Sequence, residues 1–228
     1  MKIKSFFYLA FSILISFNSL AQNKERKFKI HTLAFYNLEN LFDTINDVNK
    51  NDEASPIMEI KFNRGNIYKQ KVTNMARVIS EIGYDVTNRP PTIIGICEVE
   101  NRNVVEDLIA NEKLSKYNYG IVHYDSPDRR GIDVGLLYNK DIFKVINSNS
   151  HVLYINYNNT SDRSFTRDQL VVSGKLDGEL IHLIVNHWPS RGADETKRMA
   201  AAAVNNSIID SLRKIHNNPK IITMGDFN

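Results

Sequence analysis

The sequence predicts a mixed α/β fold in which two β-sheets pack against each other with helices on the outside. Strands and helices alternate at first, then several strands follow one another through short polar turns, and a final helix leads to a last strand. A simple doubly wound sheet would alternate strand and helix throughout, so the run of consecutive strands excludes it. Several of these apolar strands end in polar side chains, which predicts a site at one edge of the fold.

The chain begins like a secretory signal peptide. Positively charged residues are followed by an apolar stretch and by small residues before a cleavage site after Ala21. We expect residues 1–21 to be removed and residues 22–228 to form one domain, exported to the periplasm or secreted. An uncleaved membrane anchor is the alternative, but the apolar stretch is shorter than the ~20 residues of a spanning helix. No second stretch predicts a membrane span.

Net charge and cysteine content narrow the class of protein. The formal charge of +3 falls to +1 when Lys2 and Lys4 leave with the leader, so polyanion binding must come from local basic groups. The single cysteine, Cys97, cannot form an internal disulfide, which fits an exported protein. Side-chain alternation along its strand predicts that Cys97 packs on the face opposite Glu98 and is not a nucleophile.

The first half of the chain alternates strand and helix. Residues 28–36 alternate as a first strand, and residues 43–56 are polar without periodicity and predict a long loop. Apolar residues at helical spacing predict a helix over 66–82, with Gly83 placed to end it. A second strand over 92–98 follows two prolines.

The second half begins with a shorter helix over residues 103–114 and continues as strands. These strands are predicted at residues 119–124, 134–138, 143–155, 169–176 and 180–186. A turn at Asp177-Gly178 joins the last two. The last helix spans 194–216 and opens with acidic residues that suit its N-terminal end, and residues 220–224 form the final strand.

Polar side chains follow four of the apolar strands. They are Asn37, Glu39, Glu98, His187, Asp226 and Asn228. Oxygen ligands with one imidazole suit a hard metal ion and a phosphate ester. If the strand ends converge, these groups form one site.

Glu98 is the best candidate for a metal ligand. Glu98 ends a strand of five apolar residues, and a carboxylate at such a position is costly to bury unless a cation or a hydrogen-bond donor contacts it. Glu100 lies on the same face of the strand by alternation and is the competing candidate for the metal ligand. The alternative for Glu98 is an acid that points to solvent and binds no metal. Asn37 can offer an amide to a phosphate oxygen and Glu39 a second carboxylate, although the same segment is also typical of a helix cap.

Three basic or imidazole groups are candidates for phosphate binding. His187 follows a buried strand that a proline ends, so it sits where it can donate to a phosphate oxygen. Arg167 can bind a phosphate through two donors, or form an ion pair with Asp168 or another neighbour. Arg191 is either a phosphate clamp or a solvated turn residue. Asp226 is the candidate base for a water, and Asn228 a donor that holds the water or the phosphate.

Together these segments resemble the endonuclease/exonuclease/phosphatase superfamily, the DNase I-like fold. The matching segments are Phe35-Tyr36-Asn37-Leu38-Glu39-Asn40, Ile96-Cys97-Glu98-Val99-Glu100, Phe165-Thr166-Arg167, Asn186-His187-Trp188-Pro189 and Gly225-Asp226-Phe227-Asn228. The resemblance implies a four-layered α/β/β/α sandwich and Mg²⁺-dependent hydrolysis of phosphate esters, with Mn²⁺ as the alternative ion. It implies metal binding by Glu98 with Asn37 and Glu39 beside it, phosphate contact by Arg167 and His187, and an attacking water between Asp226 and Asn228.

The match is incomplete, because members of this family carry a Ser-Asp-His motif on a later strand. Ser161-Asp162-Arg163 has the wrong third residue and the wrong position. We therefore expect the chain to be truncated at its C-terminus and weakly active or inactive, since loss of one general acid/base group costs about 10²–10⁴-fold. Full Mg²⁺-dependent activity of residues 22–228 would contradict this expectation.

The leading functional hypothesis is an exported, monomeric nuclease acting on DNA or RNA without a stable protein partner. A phospholipid or small-molecule phosphoesterase of the same fold is the second hypothesis, and a non-catalytic remnant is the third. An exposed apolar loop at the mouth of the site would favour the lipid substrate.

Overall fold

The computed structural model describes residues 28–156 and 160–228, so the predicted signal peptide lies outside the described residues. The strands are β1 (Leu33–Leu41), β2 (Ile93–Val99), β3 (Tyr119–His123), β4 (Asp133–Asn139), β5 (Phe143–His151), β6 (Ile155–Asn156), β7 (Arg163–Ser164), β8 (Gln169–Leu176), β9 (Glu179–His187) and β10 (Lys220–Asp226). The helices are α1 (Pro56–Glu59), α2 (Arg64–Glu81), α3 (Tyr84–Thr87), α4 (Arg102–Ala110) and α5 (Glu195–Ile215), with 3-10 turns at Asp52–Ala54 and Ser115–Tyr117. All of them belong to the compact unit His31–Asn228.

The two four-stranded sheets have the same arrangement of parallel and antiparallel strand pairs. The first has the strand order β1-β2-β4-β3 and the second β10-β9-β8-β5, while β6 and β7 form a separate hairpin. In each sheet the first pair is parallel, β1 with β2 and β10 with β9, and the remaining pairs are antiparallel. Strands β1 and β2 contact β10 across the sheets. The carboxyl ends of the two parallel pairs therefore meet, which brings the polar strand ends together.

The main core lies between the two sheets. Ile93, Cys97 and Leu136 of the first sheet pack with Val172 and Leu183 of the second, all fully buried. Residues two apart on a strand share a face, so Ile93 and Cys97 of β2 both face the other sheet. This apolar layer fixes how the strands of one sheet lie on those of the other.

Helices cover both outer faces. Ile94 and Ile96 of β2 pack against Ile79 of α2 and Leu108 of α4. On the second sheet, Val171 and Ile184 pack against Ile208 of α5, and other residues of α5 join the same cluster. The layers are therefore helix, sheet, sheet, helix, which confirms the predicted four-layered α/β/β/α sandwich. No described helix has both the length and the apolar character needed to cross a membrane.

Some predicted boundaries differ from those observed. Strand β1 begins at Leu33 and not at residue 28, because its pairing with β2 begins at Leu33 and Ile93. The predicted strand over 143–155 ends at His151, where its pairing with β8 ends, and Ile155 begins the β6–β7 hairpin instead. The partner strand sets where each of these strands begins and ends, and the local sequence pattern carries no information about that partner.

Candidate active site

The amide of Asn37 joins two carboxylates. Its Nδ2 donates to Glu98 Oε1 at 3.0 Å and to Asp226 Oδ2 at 3.1 Å. Its Oδ1 accepts from the Glu39 backbone N–H at 2.8 Å. Asn37, Glu98 and Asp226 come from β1, β2 and β10, so a single side chain ties three strand ends and both sheets together. The amide already uses both of its hydrogens, which makes Asn37 a residue that positions the carboxylates.

Glu98 reaches this position because the backbone of β2 breaks its alternation. Glu98 has φ +58°, and the register of β2 with β4 shifts between Cys97 and Val99. Its second oxygen, Oε2, accepts from the Asn40 backbone N–H at 3.0 Å. A left-handed conformation is costly for a residue with a side chain and persists where surrounding contacts enforce it. The two hydrogen bonds to Glu98 are such contacts.

Cys97 lies beneath the same edge and not away from it. Its Sγ and ligand atoms of His187 and Asp226 all lie within 4.8 Å of one another. The predicted packing role of Cys97 is confirmed, but alternation does not keep Cys97 away from this site, because the left-handed backbone at Glu98 interrupts the alternation. Burial raises the pKa of the Cys97 thiol, so it stays protonated and packs between the sheets.

Glu39 does not join the carboxylates. Glu39 and Asn40 have φ of +50° and +57°, which ends the simple alternation that would place Asn37 and Glu39 on one face. Glu39 is exposed, and among the described residues no contact joins its carboxylate to Glu98 or Asp226. Lys71 instead donates to the Glu39 carbonyl and, at 3.0 Å, to that of Asn40. Its ammonium therefore holds the bend that follows Asn37.

Glu100, the competitor of Glu98, faces a different segment. Its Oε2 accepts from the backbone N–H of Asp43 at 2.7 Å, and the residue is buried. Burial, together with the nearby carboxylates of Asp43 and Asp52, raises the pKa of Glu100 to about 7. Its contacts give Glu100 a structural role in the loop after β1.

His187 lies beside Glu98 as a neutral imidazole. Its side chain is 6% exposed, and Nε2 is 3.7 Å from Glu98 Oε1. Burial and the positive charge of Arg167 lower the pKa of His187 to about 3, so this approach is not an ion pair. Nδ1 is buried without a hydrogen-bond partner among the described residues. A neutral imidazole has one N–H, which suits it to donate a hydrogen bond to a substrate oxygen.

The end of β10 is held to the end of β9. Asp226 pairs with His187 in the ladder, and the Trp188 N–H donates to the Asp226 carbonyl at 2.9 Å. The Asn228 N–H donates to Asp226 Oδ1 at 3.1 Å, and Asn228 Nδ2 donates to the Trp188 carbonyl at 3.1 Å. The Phe227 ring packs edge-on against Trp188. Asn228 therefore orients Asp226 through its backbone.

Arg167 is buried next to this group, and it pairs with Asp128 and not with Asp168. It donates to Asp128 Oδ2 at 3.3 Å and to the Trp188 carbonyl at 2.5 Å. The alternative pairing with Asp168 is wrong, because Asp168 accepts from Ser150 and from a backbone N–H. Arg191 is exposed in the turn after β9. Among the described residues, no contact joins its side chain to Asn37 or to the carboxylates that Asn37 links.

Sequence reasoning missed the groups that hold Arg167 and the bend after Asn37. These are Asp128, the carbonyl of Trp188 and Lys71. Asp128 precedes two arginines, so a charge pattern was available as a signal. A backbone carbonyl carries no signal in the side-chain sequence, and a lysine on an amphipathic helix is typical of a solvated face.

Gly225 lets Asp226 reach this site. It has φ +156°, and a Cβ there would lie 2.3 Å from the carbonyl oxygen of Asn186 on β9. We expect Gly225→Ala to lower the free energy of unfolding by about 1–3 kcal/mol, because β10 must move away from β9. Thermal melting should show a fall of roughly 2–4 °C per kcal/mol. Gly65→Ala is the control, since a Cβ there meets nothing within 4 Å, and equal melting temperatures for both variants would contradict the prediction.

The donor set at the strand ends fits a divalent cation. Glu98 and Asp226 approach the same amide, and among the described residues no lysine or arginine forms an ion pair with either carboxylate. Two close, unneutralised carboxylates repel each other unless a cation lies between them. Carboxylate and amide oxygens are ligands of hard cations such as Mg²⁺. Glu98 is therefore the carboxylate that would hold the ion, with Asp226 beside it on the same amide.

Comparison with known proteins gives the family. A model described as the Endonuclease/Exonuclease/phosphatase family matches residues 32–228, and the chain belongs to this family. By this description the family comprises enzymes that hydrolyse phosphate esters. No curated protein matches the chain.

Solved structures show the same fold. An endonuclease/exonuclease/phosphatase family protein from Bacteroides thetaiotaomicron is 16% identical with a TM-score of 0.55, covering 86% of this chain and 62% of its own. TDP2 from Caenorhabditis elegans is 17% identical with a TM-score of 0.54, at 72% and 43% coverage. The human Nocturnin catalytic domain with bound sulfate is 18% identical with a TM-score of 0.52, at 69% and 57% coverage. The chain thus spans 43% to 62% of the length of these proteins.

Proposed function

We propose that the protein is an exported, Mg²⁺-dependent phosphodiesterase that cleaves DNA or RNA. The observation that carries the proposal is the junction of Glu98 and Asp226 on the amide of Asn37, with a neutral His187 beside it. A carboxylate that can hold a cation, a second carboxylate that can accept a proton and a neighbouring hydrogen-bond donor are the groups that hydrolysis of an anionic ester requires. A bound Mg²⁺ would neutralise phosphate charge and stabilise the leaving oxygen.

The chain's own residues then divide the remaining tasks. Asp226 takes a proton from a water, whose oxygen forms a bond to phosphorus while the ester oxygen on the opposite side leaves and is protonated by solvent. Asn228 holds Asp226 through its backbone N–H, and Asn37 holds Asp226 and Glu98 in a fixed relation. His187 donates to a phosphate oxygen where negative charge builds up.

One observation supports a lipid substrate as the second candidate. The loop after β1 exposes Ile45 and Val48, which are 73% and 86% accessible. Exposed apolar side chains near a site can insert into the surface of a bilayer. Two such residues in a loop that also carries Asp43 and Asp47 form a small apolar surface, so we place nucleic acid first.

A plasmid-nicking assay tests the proposal. Purified protein is expected to convert supercoiled to open-circular DNA with Mg²⁺ and not with EDTA, and Glu98→Ala is expected to abolish the conversion. The 228-residue sequence lacks the family's Ser-Asp-His motif, so we expect conversion by this chain to be slow and run the assay at high protein concentration. Release of phosphate-containing headgroups from phospholipid vesicles, without nicking of DNA or cleavage of RNA, would establish the lipid candidate and overturn the nuclease.

A further inference from the structure

A small cavity adjoins the candidate active site on the side of Arg167. Its volume is about 220 Å³. The cavity lies between the turn after β3, Ile155 of β6, the segment 164–167, the turn after β9 and the first turn of α5. Its polar and charged lining residues are Asp128, Arg129, Arg130, Ser164, Thr166, Arg167, Ser190 and Lys197. The cavity shares Arg167 with the candidate active site, because Arg167 also donates to the carbonyl of Trp188 next to His187.

The charges around this cavity are unbalanced. Among the described residues that line the cavity, four cationic groups face one carboxylate, that of Asp128; they are Arg129, Arg130, Arg167 and Lys197. Arg130 and Arg167 both donate to this carboxylate, so it is already paired with two guanidinium groups. Asp128 is buried, yet its hydrogen bonds and ion pairs with these groups hold its pKa below the ordinary value despite the opposing effect of burial. The positive charge that remains after this pairing favours the binding of an anion in the cavity.

Three further side chains of the cavity can bind the oxygen atoms of an anion. Thr166 is 4% exposed, and its Oγ1 has no hydrogen-bond partner among the described residues. Lys197 Nζ donates to Ser164 Oγ at 3.0 Å, which places the ammonium at the wall of the cavity. The Arg129 guanidinium carbon lies 5.1 Å from the centre of the Phe165 ring, so a cation–π contact orients it. A buried hydroxyl without a partner is costly unless a ligand satisfies it.

We propose that this cavity binds a second phosphate group of the substrate, the one next to the phosphate that is cleaved. The volume is below the roughly 300–1,000 Å³ of sites that enclose a whole small molecule, so it fits a phosphate group and not a nucleotide. Lys197, Arg129 and Thr166 bind its oxygens, while Arg167 lies between the two phosphates. The assignment of the phosphate to the substrate chain depends on the proposed function; the anion site itself does not.

Phosphate binding is measured first, without turnover. Inorganic phosphate is titrated calorimetrically into the protein in EDTA, where the unneutralised Glu98 and Asp226 carboxylates repel anions from the catalytic edge. We expect Lys197→Gln to raise the Kd of phosphate about tenfold, the loss of one charge-assisted hydrogen bond. Lys197→Arg is expected to retain binding. Lys214→Gln, the same charge change at an exposed position of α5, is expected to leave Kd unchanged.

Kinetics then assign the phosphate to the substrate. We expect Lys197→Gln to raise KM for a short oligonucleotide and to reduce the slope of log K against log salt by about 1. Hydrolysis of bis(p-nitrophenyl) phosphate, which carries a single phosphate, should be unchanged. An equal effect on both substrates would place Lys197 at the cleaved phosphate and overturn the proposal.

The two proposals fail in different ways. Unchanged phosphate binding in both Lys197→Gln and Arg129→Gln would overturn the anion site, whatever the enzyme cleaves. Loss of phosphate binding in these variants, in a protein that cleaves no nucleic acid, would retain the anion site and overturn the nuclease. Melting temperatures of all variants, compared with that of Lys214→Gln, separate loss of binding from loss of fold.

Discussion

Replacing Asp226 with asparagine is expected to lower kcat for phosphodiester cleavage about 10²–10⁴-fold, the contribution of a positioned general base. Asp226 is held at its two oxygens by Asn37 Nδ2 and the Asn228 N–H, so its orientation is fixed before a substrate binds. Asparagine keeps the shape of the side chain but cannot take a proton from water. It also offers one oxygen to two donors, so part of the orientation is lost.

The Asp226→Asn variant is compared with Asp210→Asn, which makes the same chemical change at an exposed position of α5. Steady-state cleavage of an oligonucleotide gives kcat and KM for both variants and the parent protein. Asp210→Asn should be unaffected. If Asp226→Asn retains kcat within a factor of three, Asp226 is not the base, and the proposed mechanism is wrong.

Glu98→Gln is expected to raise the Mg²⁺ concentration for half-maximal activity about 100-fold or more. Groups that merely hydrogen-bond to metal ligands contribute 10–100-fold to metal affinity, and a carboxylate ligand should contribute at least as much. Glutamine removes the negative charge at the position where Asn37 and Asn40 hold the carboxylate. A direct measurement is Mn²⁺ binding followed by electron paramagnetic resonance, which needs no substrate.

Glu100→Gln is the matched control for this prediction. Glu100 lies two residues further along the chain, but its carboxylate accepts from the Asp43 N–H and shows no contact with Asn37 among the described residues. We expect this variant to bind Mn²⁺ as the parent protein does. Weaker Mn²⁺ binding in Glu100→Gln than in Glu98→Gln would reverse the assignment of the metal ligand.

Much of the fold was predictable because local patterns determine it. The helix predicted over 66–82 is observed as Arg64–Glu81, and the strand predicted over 169–176 is observed as Gln169–Leu176. The turn at Asp177-Gly178 is also present, with positive φ at both residues. Periodicity and turn chemistry fix such elements within a few neighbouring residues, so sequence alone suffices.

The site was predictable in its residue types but not in its connections. The sequence predicted polar groups at converging strand ends, and the structure joins Glu98, Asp226 and His187 there. It did not predict that Asn37 links the two carboxylates, or that Glu39 turns out of the group. Those outcomes depend on left-handed backbone at Glu39 and Glu98, which side-chain alternation assumes to be absent.

The sequence by itself determined the layered α/β architecture and the family, because periodic apolar residues and short motifs carry that information along the chain. Tertiary structure alone decided which groups meet. Arg167 pairs with Asp128, 39 residues away, and the basic cavity forms where five separate segments approach. The physical reason is that hydrogen bonds and ion pairs depend on distances in space, which the packing of one sheet on the other sets.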